Sequence, residues 1–518
     1  MKKLSLFLVA VIVICSVLSG CKDNIGKNGN KDFEYEYNPP ASIITPEQYK
    51  AKIDELCAYE SYSTADAAYL EKLDGVTNDL RNMIVYSNDT IEFSGTAYYV
   101  SNNGDDNNDG KTPETAWATI NRVNSAEFAK GDAVLFERGG LWRGKLTGRD
   151  GVTYSAYGNG AKPKLFNSTD GTDGKWVKTE YENVWKFDKV ISSEDVGIVV
   201  FNDGEYFTTP TEKVIEISEL KENFTFVFNS VYNSKRGIDN CLYLYYDGGN
   251  PGEKFASIEI GGYGSTFVLL KGAKDITVHN LDLRFGGNIL WGTDVSNILV
   301  KNCVAAWQGG TRMAFLKEPR LGGGAGAWHA CDTMIFEQCY FYQQFDSGVS
   351  PQYHIYGDNG DAPCLFKDFI TKNCLFEKCE YTYEFFMSQE NTDEELFKDM
   401  YFGYNICREG GAGFGTKMPE SAYIKMWQTH ENYSEGCVIE KNIFDRAMGK
   451  ALDMAAKSES GEFMIDELPK MNNNIYVFPE NNKTFAVVNG VSYRSNRKGC
   501  SDYAALGIET NPVFMYVK

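Results

Sequence analysis

Histidine is scarce in this chain, with 4 among 518 residues, and basic side chains are outnumbered: 51 Lys and Arg stand against 71 Asp and Glu, a formal net charge of −20. Nucleic-acid binding needs clustered Lys and Arg, so this balance excludes a phosphate-tracking surface. It also disfavours a polyanionic glycan such as pectin, unless calcium or a local basic cleft reverses the field. No C-x-x-C pair and no grouping of His with Cys is present, which removes the usual zinc spacings. The G-x-S-x-G elbow of a serine hydrolase is also missing, so a Ser-His-Asp set has no sequence support. Beyond residue 20 no apolar run is long enough to span a bilayer.

What is present begins with an export leader. Lys2 and Lys3 precede an apolar run from Leu4 to Leu18, too short for a spanning helix. The following Leu18-Ser19-Gly20-Cys21 resembles the lipobox of bacterial lipoproteins, the alternative being an ordinary signal peptide with a chance cysteine. The resemblance implies loss of residues 1–20, acylation of Cys21, and residence on the outer face of a bacterial cell membrane, with lipid as the only membrane contact. Residues 21–44 are polar and rich in Asn, Gly and Lys, as expected of a flexible tether.

From 45 to 88 the pattern is helical. TPEQYKAKIDEL opens with a capping Thr and Pro in the first turn, and a second helix is expected from Thr64 to Met83. Past Ile91 the texture becomes short apolar strands broken by Gly, Asn and Asp, so residues 89–518 are expected to be β.

An internal repeat decides the fold class. Short alternating strands end in an amide residue and turn, at Asn280, Asn302, Gln338, Asn373, Asn405 and Asn442. Strands of this kind, one per coil, stack in parallel about 4.8 Å apart, and amides at one turn of each coil can pass hydrogen bonds up the stack. The next residue in each repeat is Leu281, Cys303, Cys339, Cys374, Ile406 or Ile443, an apolar ladder in which cysteine takes an aliphatic place. The 13 cysteines are therefore read as core residues more than as a disulfide framework. The expected fold is all-β, a right-handed parallel β-helix with a short N-terminal helical segment. A β element is inserted at 174–256, and a last coil near Asn474 with a helix from Cys500 to Leu506 caps the open end within 459–518.

The stretches AYYVSNNGDDNNDGKTPETAWATINRVN, AKGDAVLFERGGLWRGKL and YSAYGNGAKPKL resemble the opening coils of exported bacterial β-helix proteins of the pectate-lyase-like superfamily. LYLYYDGGNPGEKFASIEI, ITVHNLDLRFGG and QQFDSGVSPQY resemble the same group, so the similarity spans Ala97 to about Ala456. It implies a scaffold used on carbohydrates, by glycoside hydrolases, polysaccharide lyases or proteins without assigned activity; it does not specify a reaction.

Long loops follow Arg312, Ser350, Phe386 and Gly413 in adjacent coils. If the turn Lys378-Cys379-Glu380 is a three-residue insertion, FDSGVSPQ aligns with YEFFMSQE, and Glu384 falls beside Asp346. Gly310 and Gly413 in neighbouring coils would then leave an open notch around two carboxyls. Such a pair divides into acid and base, because two close carboxyls do not both ionise easily. Asp346 and Glu384 are the catalytic candidates, and Arg312, Arg320, Gln352, Lys417 and His354 the candidates for binding substrate. Arg284 is a further basic candidate, while His279 is expected to face outward as a structural group and His329 to lie in a cleft-side loop. Asp105, Asn107 and Asp109 alternate as in the first half of a calcium loop, but position twelve is Ala116; a tight polar turn is expected, with calcium the alternative. No cofactor is required. The favoured activity is a glycoside hydrolase acting as a monomer on a polysaccharide or oligosaccharide. A lyase on uronate chains comes second, and a non-catalytic glycan-binding or adhesive protein third.

Overall fold

The computed structural model describes residues 37–518 apart from 173–174, 209, 211–214, 230–238, 313–319, 354–365, 388–396, 416–420, 428–434, 457–461 and 463. Cys21, His354 and Lys417 lie outside the described residues. Among the described residues no helix is long and apolar enough to cross a membrane. The chain divides into two compact units, one containing Thr169–Ile260, the other Tyr37–Ser168 with Gly261–Lys518.

In the larger unit the helix Pro46–Cys57 starts where Thr45 and Gln48 close a reciprocal capping box. The second helix, Ala67–Val85, starts later than Thr64 because Asp66 is its cap and Ser63–Ala65 is drawn into a strand. Tyr49, Ile53, Leu56, Leu73 and Leu80 form the buried faces. Polar ties join these helices to the coils: Tyr49 Oη donates to the Tyr404 carbonyl at 2.9 Å, and Arg81 pairs with Glu377 at 2.8 Å.

The molecule is mostly β and built on large parallel sheets. One sheet has 11 strands and another 20. The expected single strand per repeat is corrected. The repeat around Asn373 places Phe366–Lys372 and Tyr381–Met387 in the larger sheet and Leu375–Glu377 between them in the smaller. Left-handed residues at Asn373 (φ 54°) and Lys378 (φ 58°) make these corners, so one coil encloses its core from more than one side. Inside, Phe341 stacks on Phe376 at 4.7 Å, and Cys303, Cys339 and Cys374 sit as buried free thiols, serving as small apolar side chains.

Register corrects the amide ladder. The pairs Asp282↔Val304, Val304↔Tyr340, Tyr340↔Leu375 and Leu375↔Ile406 align Asn280 with Asn302, Gln338, Asn373 and then Tyr404. All five have φ between 52° and 56°, so this position is a left-handed corner that Asn tolerates well. Asn405, Asn442 and Asn474 stand one residue later, level with Cys374, and Ile406 and Ile443 align with Leu375. These three amides form the true stack. Asn405 Nδ2 donates to Asn442 Oδ1 at 3.1 Å, Asn442 Nδ2 to Asn474 Oδ1 at 2.9 Å, and Asn474 Nδ2 to Glu509 Oε1 at 2.9 Å.

At the C-terminal end, Arg497–Ala504 is helical and capped by Asn496, and Val513–Val517 continues the smaller sheet. Its edge is covered by Ser63–Ala65, which pairs with it in parallel. The unit Thr169–Ile260 holds an antiparallel sheet of Trp176–Lys178, Val184–Phe187, Thr225–Asn229 and Cys241–Tyr245. Its own core includes Trp176, Phe187, Phe226 and Leu244.

Candidate active site

Six parallel strands build the site: Asn288–Lys301, Ala325–Glu337, Ser347–Tyr353, Tyr381–Met387, Ala422–Met426 and Lys450–Met454. Their inward residues Val349, Tyr383, Ile424 and Leu452 are in register and buried in the core. Side chains alternate along a strand, so the next residue of each points out. One outward row therefore holds Ser350, Glu384, Lys425 and Asp453, and the row two residues on holds Trp328, Gln352 and Phe386.

Glu384 lies at the centre of this face with four hydrogen-bond donors around it. Trp427 Nε1 donates to Oε1 at 2.6 Å, while Gln352 Nε2 at 3.0 Å and Ser350 Oγ at 3.1 Å donate to Oε2. Ser347 is the fourth. Burial pushes the Glu384 carboxyl up, and these hydrogen bonds pull against that shift by stabilising the charged form. Lys425, the next residue of the row, pairs with Asp453 at 2.8 Å and lies 4.4 Å from the Trp427 ring centroid. Trp291 and Trp328 meet edge to face at 5.6 Å, and Phe386 and Trp427 at 6.1 Å. The face is thus aromatic around a central carboxyl.

Asp346 is half-buried, with Oδ1 sealed from solvent and accepting no hydrogen bond among the described residues. Its carboxyl is pushed well above the ordinary range, first by burial, then by the charges of Glu384 and Glu380; the Gly322 backbone N–H opposes the shift. The alignment that set Glu384 directly beside Asp346 is corrected by the pairing Ser347↔Tyr381. No insertion occurs at Lys378-Cys379-Glu380. The residue level with Asp346 is Glu380, and Tyr381 N donates to the Asp346 carbonyl at 2.9 Å. Glu384 stands level with Ser350, yet its charge remains the largest acting on Asp346. Glu380, Ser350 and Trp427 escaped the sequence reading, because only the register brings them together.

Other candidates divide. Arg312 and Arg320 face each other across a two-stranded hairpin and are both buried, with Arg320 Nη1 donating to the Gly310 carbonyl at 2.5 Å. They are not open surface charges. The expected notch at Gly413 is filled: a Cβ there would lie 2.2 Å from the Lys378 carbonyl oxygen and 2.5 Å from Gln343 Oε1. Arg284 is buried in a two-pronged pair with Asp282, at 2.8 and 2.7 Å, and is structural. His329 is buried in a strand, 3.9 Å from Asp294. His279, expected to face outward, is 1% exposed.

His279 sits in a chain that resembles a catalytic triad. Ser155 Oγ lies 2.9 Å from His279 Nδ1, and His279 Nε2 is 3.5 Å from Asp89 Oδ2. Exposure runs the wrong way for catalysis: Ser155, which would be the nucleophile, is 3% exposed, while the Asp89 side chain is 45% exposed. Asp89 also accepts from Asn302 at 2.7 Å and, through its carbonyl, from Asn280 at 2.8 Å. The chain therefore fastens the segment after the second helix to the coils.

In the Asp105–Gly110 turn, Asp105 Oδ1 accepts from Asn107 N at 2.9 Å and Asp109 Oδ1 from Thr115 Oγ1 at 2.7 Å. Asp106 caps the helix side through Ala118 N at 2.8 Å and Thr119 Oγ1 at 2.7 Å. These oxygens are used within the turn, and among the described residues no group of three or more His, Cys, Asp or Glu is arranged to hold a metal.

No protein-family model and no curated protein matches the chain. Similar solved structures include one described as a glycoside hydrolase, 9% identical, with a TM-score of 0.41 over 81% of this chain and 96% of that one. A lacto-N-biosidase of Eubacterium ramulus is 11% identical, with a TM-score of 0.32 over 93% of this chain and 82% of its own. An alginate lyase of Paenibacillus is 8% identical, with a TM-score of 0.31 over 77% and 96%.

Proposed function

We propose that the protein is a glycoside hydrolase built on a right-handed parallel β-helix, in which Glu384 is the ionised carboxylate and Asp346 the proton donor. The reading rests on the contrast between the two environments. Glu384 is surrounded by Trp427, Ser350, Ser347 and Gln352, all of which favour its charge. Among the described residues Asp346 meets the Gly322 N–H, which favours its charge, and two neighbouring carboxyls, which with burial outweigh it and favour the neutral form. Glycoside cleavage needs this division: a protonated carboxyl at the leaving oxygen, and an ionised one to activate water or stabilise the positive anomeric carbon. Trp328, Phe386 and Trp427 offer flat rings against which sugar faces pack. Gln352 serves by orienting Glu384, with Arg312 and Arg320 supporting the neighbouring wall. No cofactor enters the reaction, and the chain acts as a monomer held by lipid at Cys21 on the outer face of the cell membrane.

The test is to incubate the soluble chain from Asp23 with a glycan panel, following new reducing ends and the ultraviolet absorbance of unsaturated uronates. Reducing ends without absorbance, lost in both Asp346→Asn and Glu384→Gln, are expected. Absorbance rising with reducing ends would establish elimination instead, and binding without either product would establish an adhesive or glycan-binding role.

A further inference from the structure

Glu380 was not a candidate in the sequence, and neither Asp346 nor Glu384 explains its presence. It is 3% exposed, stands level with Asp346 on the next coil, and its Oε2 has no hydrogen-bond partner among the described residues. Ionising a buried carboxyl that has an oxygen without a donor is costly, so the group keeps its proton. Burial alone raises it, to about 8. Among the described residues the groups facing Asp346 are Glu384, Glu380 and the Gly322 N–H. On the adjoining turn, Lys378 is 3.8 Å from Glu409.

Building on the hydrolase reading, we propose that Glu380 is a positioning residue that holds a second proton beside Asp346 and returns one to it after each bond cleavage. When Asp346 has protonated the leaving oxygen and Glu384 has taken a proton from the attacking water, Asp346 is left as the one carboxylate of the three, in the setting that least favours its charge. Transfer of the Glu380 proton to Asp346 breaks one O–H bond and forms another, moving the negative charge from Asp346 to Glu380. Glu384 then releases to solvent the proton it took from the attacking water and Glu380 takes one back, so the three groups return to their resting state with no net gain or loss of protons. At neutral pH the resting site contains one carboxylate and two neutral carboxyls.

The infrared stretch of protonated carboxyls tests this without a known substrate. Spectra of the wild type, Glu380→Gln and Asp346→Asn are compared from pH 5 to 10, with and without calcium chloride. At pH 7 Glu380→Gln should remove one protonated carboxyl that titrates near pH 8 in the wild type, and the Asp346 carboxyl should titrate at lower pH in that variant. If Glu380→Gln removes no protonated carboxyl at pH 7, or if calcium discharges the protons and raises the melting temperature, the proposal falls and the cluster is an ionised or cation-binding one. On a cleaved glycan, Glu380→Gln should leave the first turnover intact, slow later ones, and alter the alkaline limb of the pH profile. An unchanged profile with Asp346→Asn inactive would refute the relay and leave the hydrolase; activity surviving Asp346→Asn would refute the hydrolase reading itself.

Discussion

Replacing Asn442 with leucine, a side chain of similar size, separates a hydrogen-bonded amide stack from a row of left-handed corners. Asn442 Oδ1 accepts from Asn405 N at 3.0 Å and from Asn405 Nδ2 at 3.1 Å, while its Nδ2 donates to the Phe402 carbonyl at 3.0 Å and to Asn474 Oδ1 at 2.9 Å. Not all of these partners are stranded by the change. Asn405 Nδ2 keeps the Thr371 carbonyl at 3.0 Å, and Asn474 Oδ1 keeps Asn442 N at 3.0 Å. The Asn405 N–H loses its partner in a site without water access, and the Phe402 carbonyl loses the amide bond it accepts in addition to its place in the ladder. At about 1 to 3 kcal/mol for the stranded N–H and about 0.5 to 1.5 kcal/mol for each of the bonds lost to Phe402 and Asn474, the expected loss is about 2 to 6 kcal/mol. Asn373→Leu should cost less, about 1 to 2 kcal/mol, from forcing leucine to φ 54°, since Asn373 Oδ1 accepts nothing among the described residues. Urea denaturation followed by circular dichroism measures both. Equal losses in the two variants, or no loss in Asn442→Leu, would refute the register argument.

Glu380→Gln should also change stability with pH. The folded carboxyl titrates at about 8 against an ordinary 4.5, so the folded state holds a proton that the unfolded state releases. The stability tied to it is present below about pH 4.5 and is lost as pH rises through 8, up to about 5 kcal/mol in total. The wild type should weaken over that window more than Glu380→Gln, as read from urea midpoints at pH 5 and 9; parallel curves would contradict it. Cys21→Ser should release the protein from the membrane fraction and abolish palmitate labelling, and persistence of both would reject the lipid anchor. A fluorophosphonate probe should leave Ser155 unlabelled, as its burial beside His279 requires, and labelling that disappears in Ser155→Ala would overturn the structural role.

Several features were legible because they are local. Thr45 and Pro46 announce a helix start, since capping depends on a few neighbouring residues. Repeated alternating strands ending in amide residues announce parallel stacking, because burial of one face imposes a period of two. Positions such as Cys303 and Cys374 read as core residues, since their neighbours alternate with them. Asp346 and Glu384 were also visible, as acidic residues next to long loops, but the alignment that joined them was not the true one.

Register across coils has no such local signature, and the tertiary structure alone decided it. A one-residue shift leaves each strand's own pattern intact while changing every neighbour. This is why Asn373 looked equivalent to Asn405 but lies level with Tyr404, and why Glu380, not Glu384, stands level with Asp346. Burial likewise turned Arg284 from a basic site candidate into a structural residue paired with Asp282 two residues away, and turned His279, expected to face outward, inward against Ser155, 124 residues earlier. Composition and periodicity determine that these strands stack; only the packed coils determine which carboxyl faces four favourable neighbours and which two are pushed toward their neutral forms by burial.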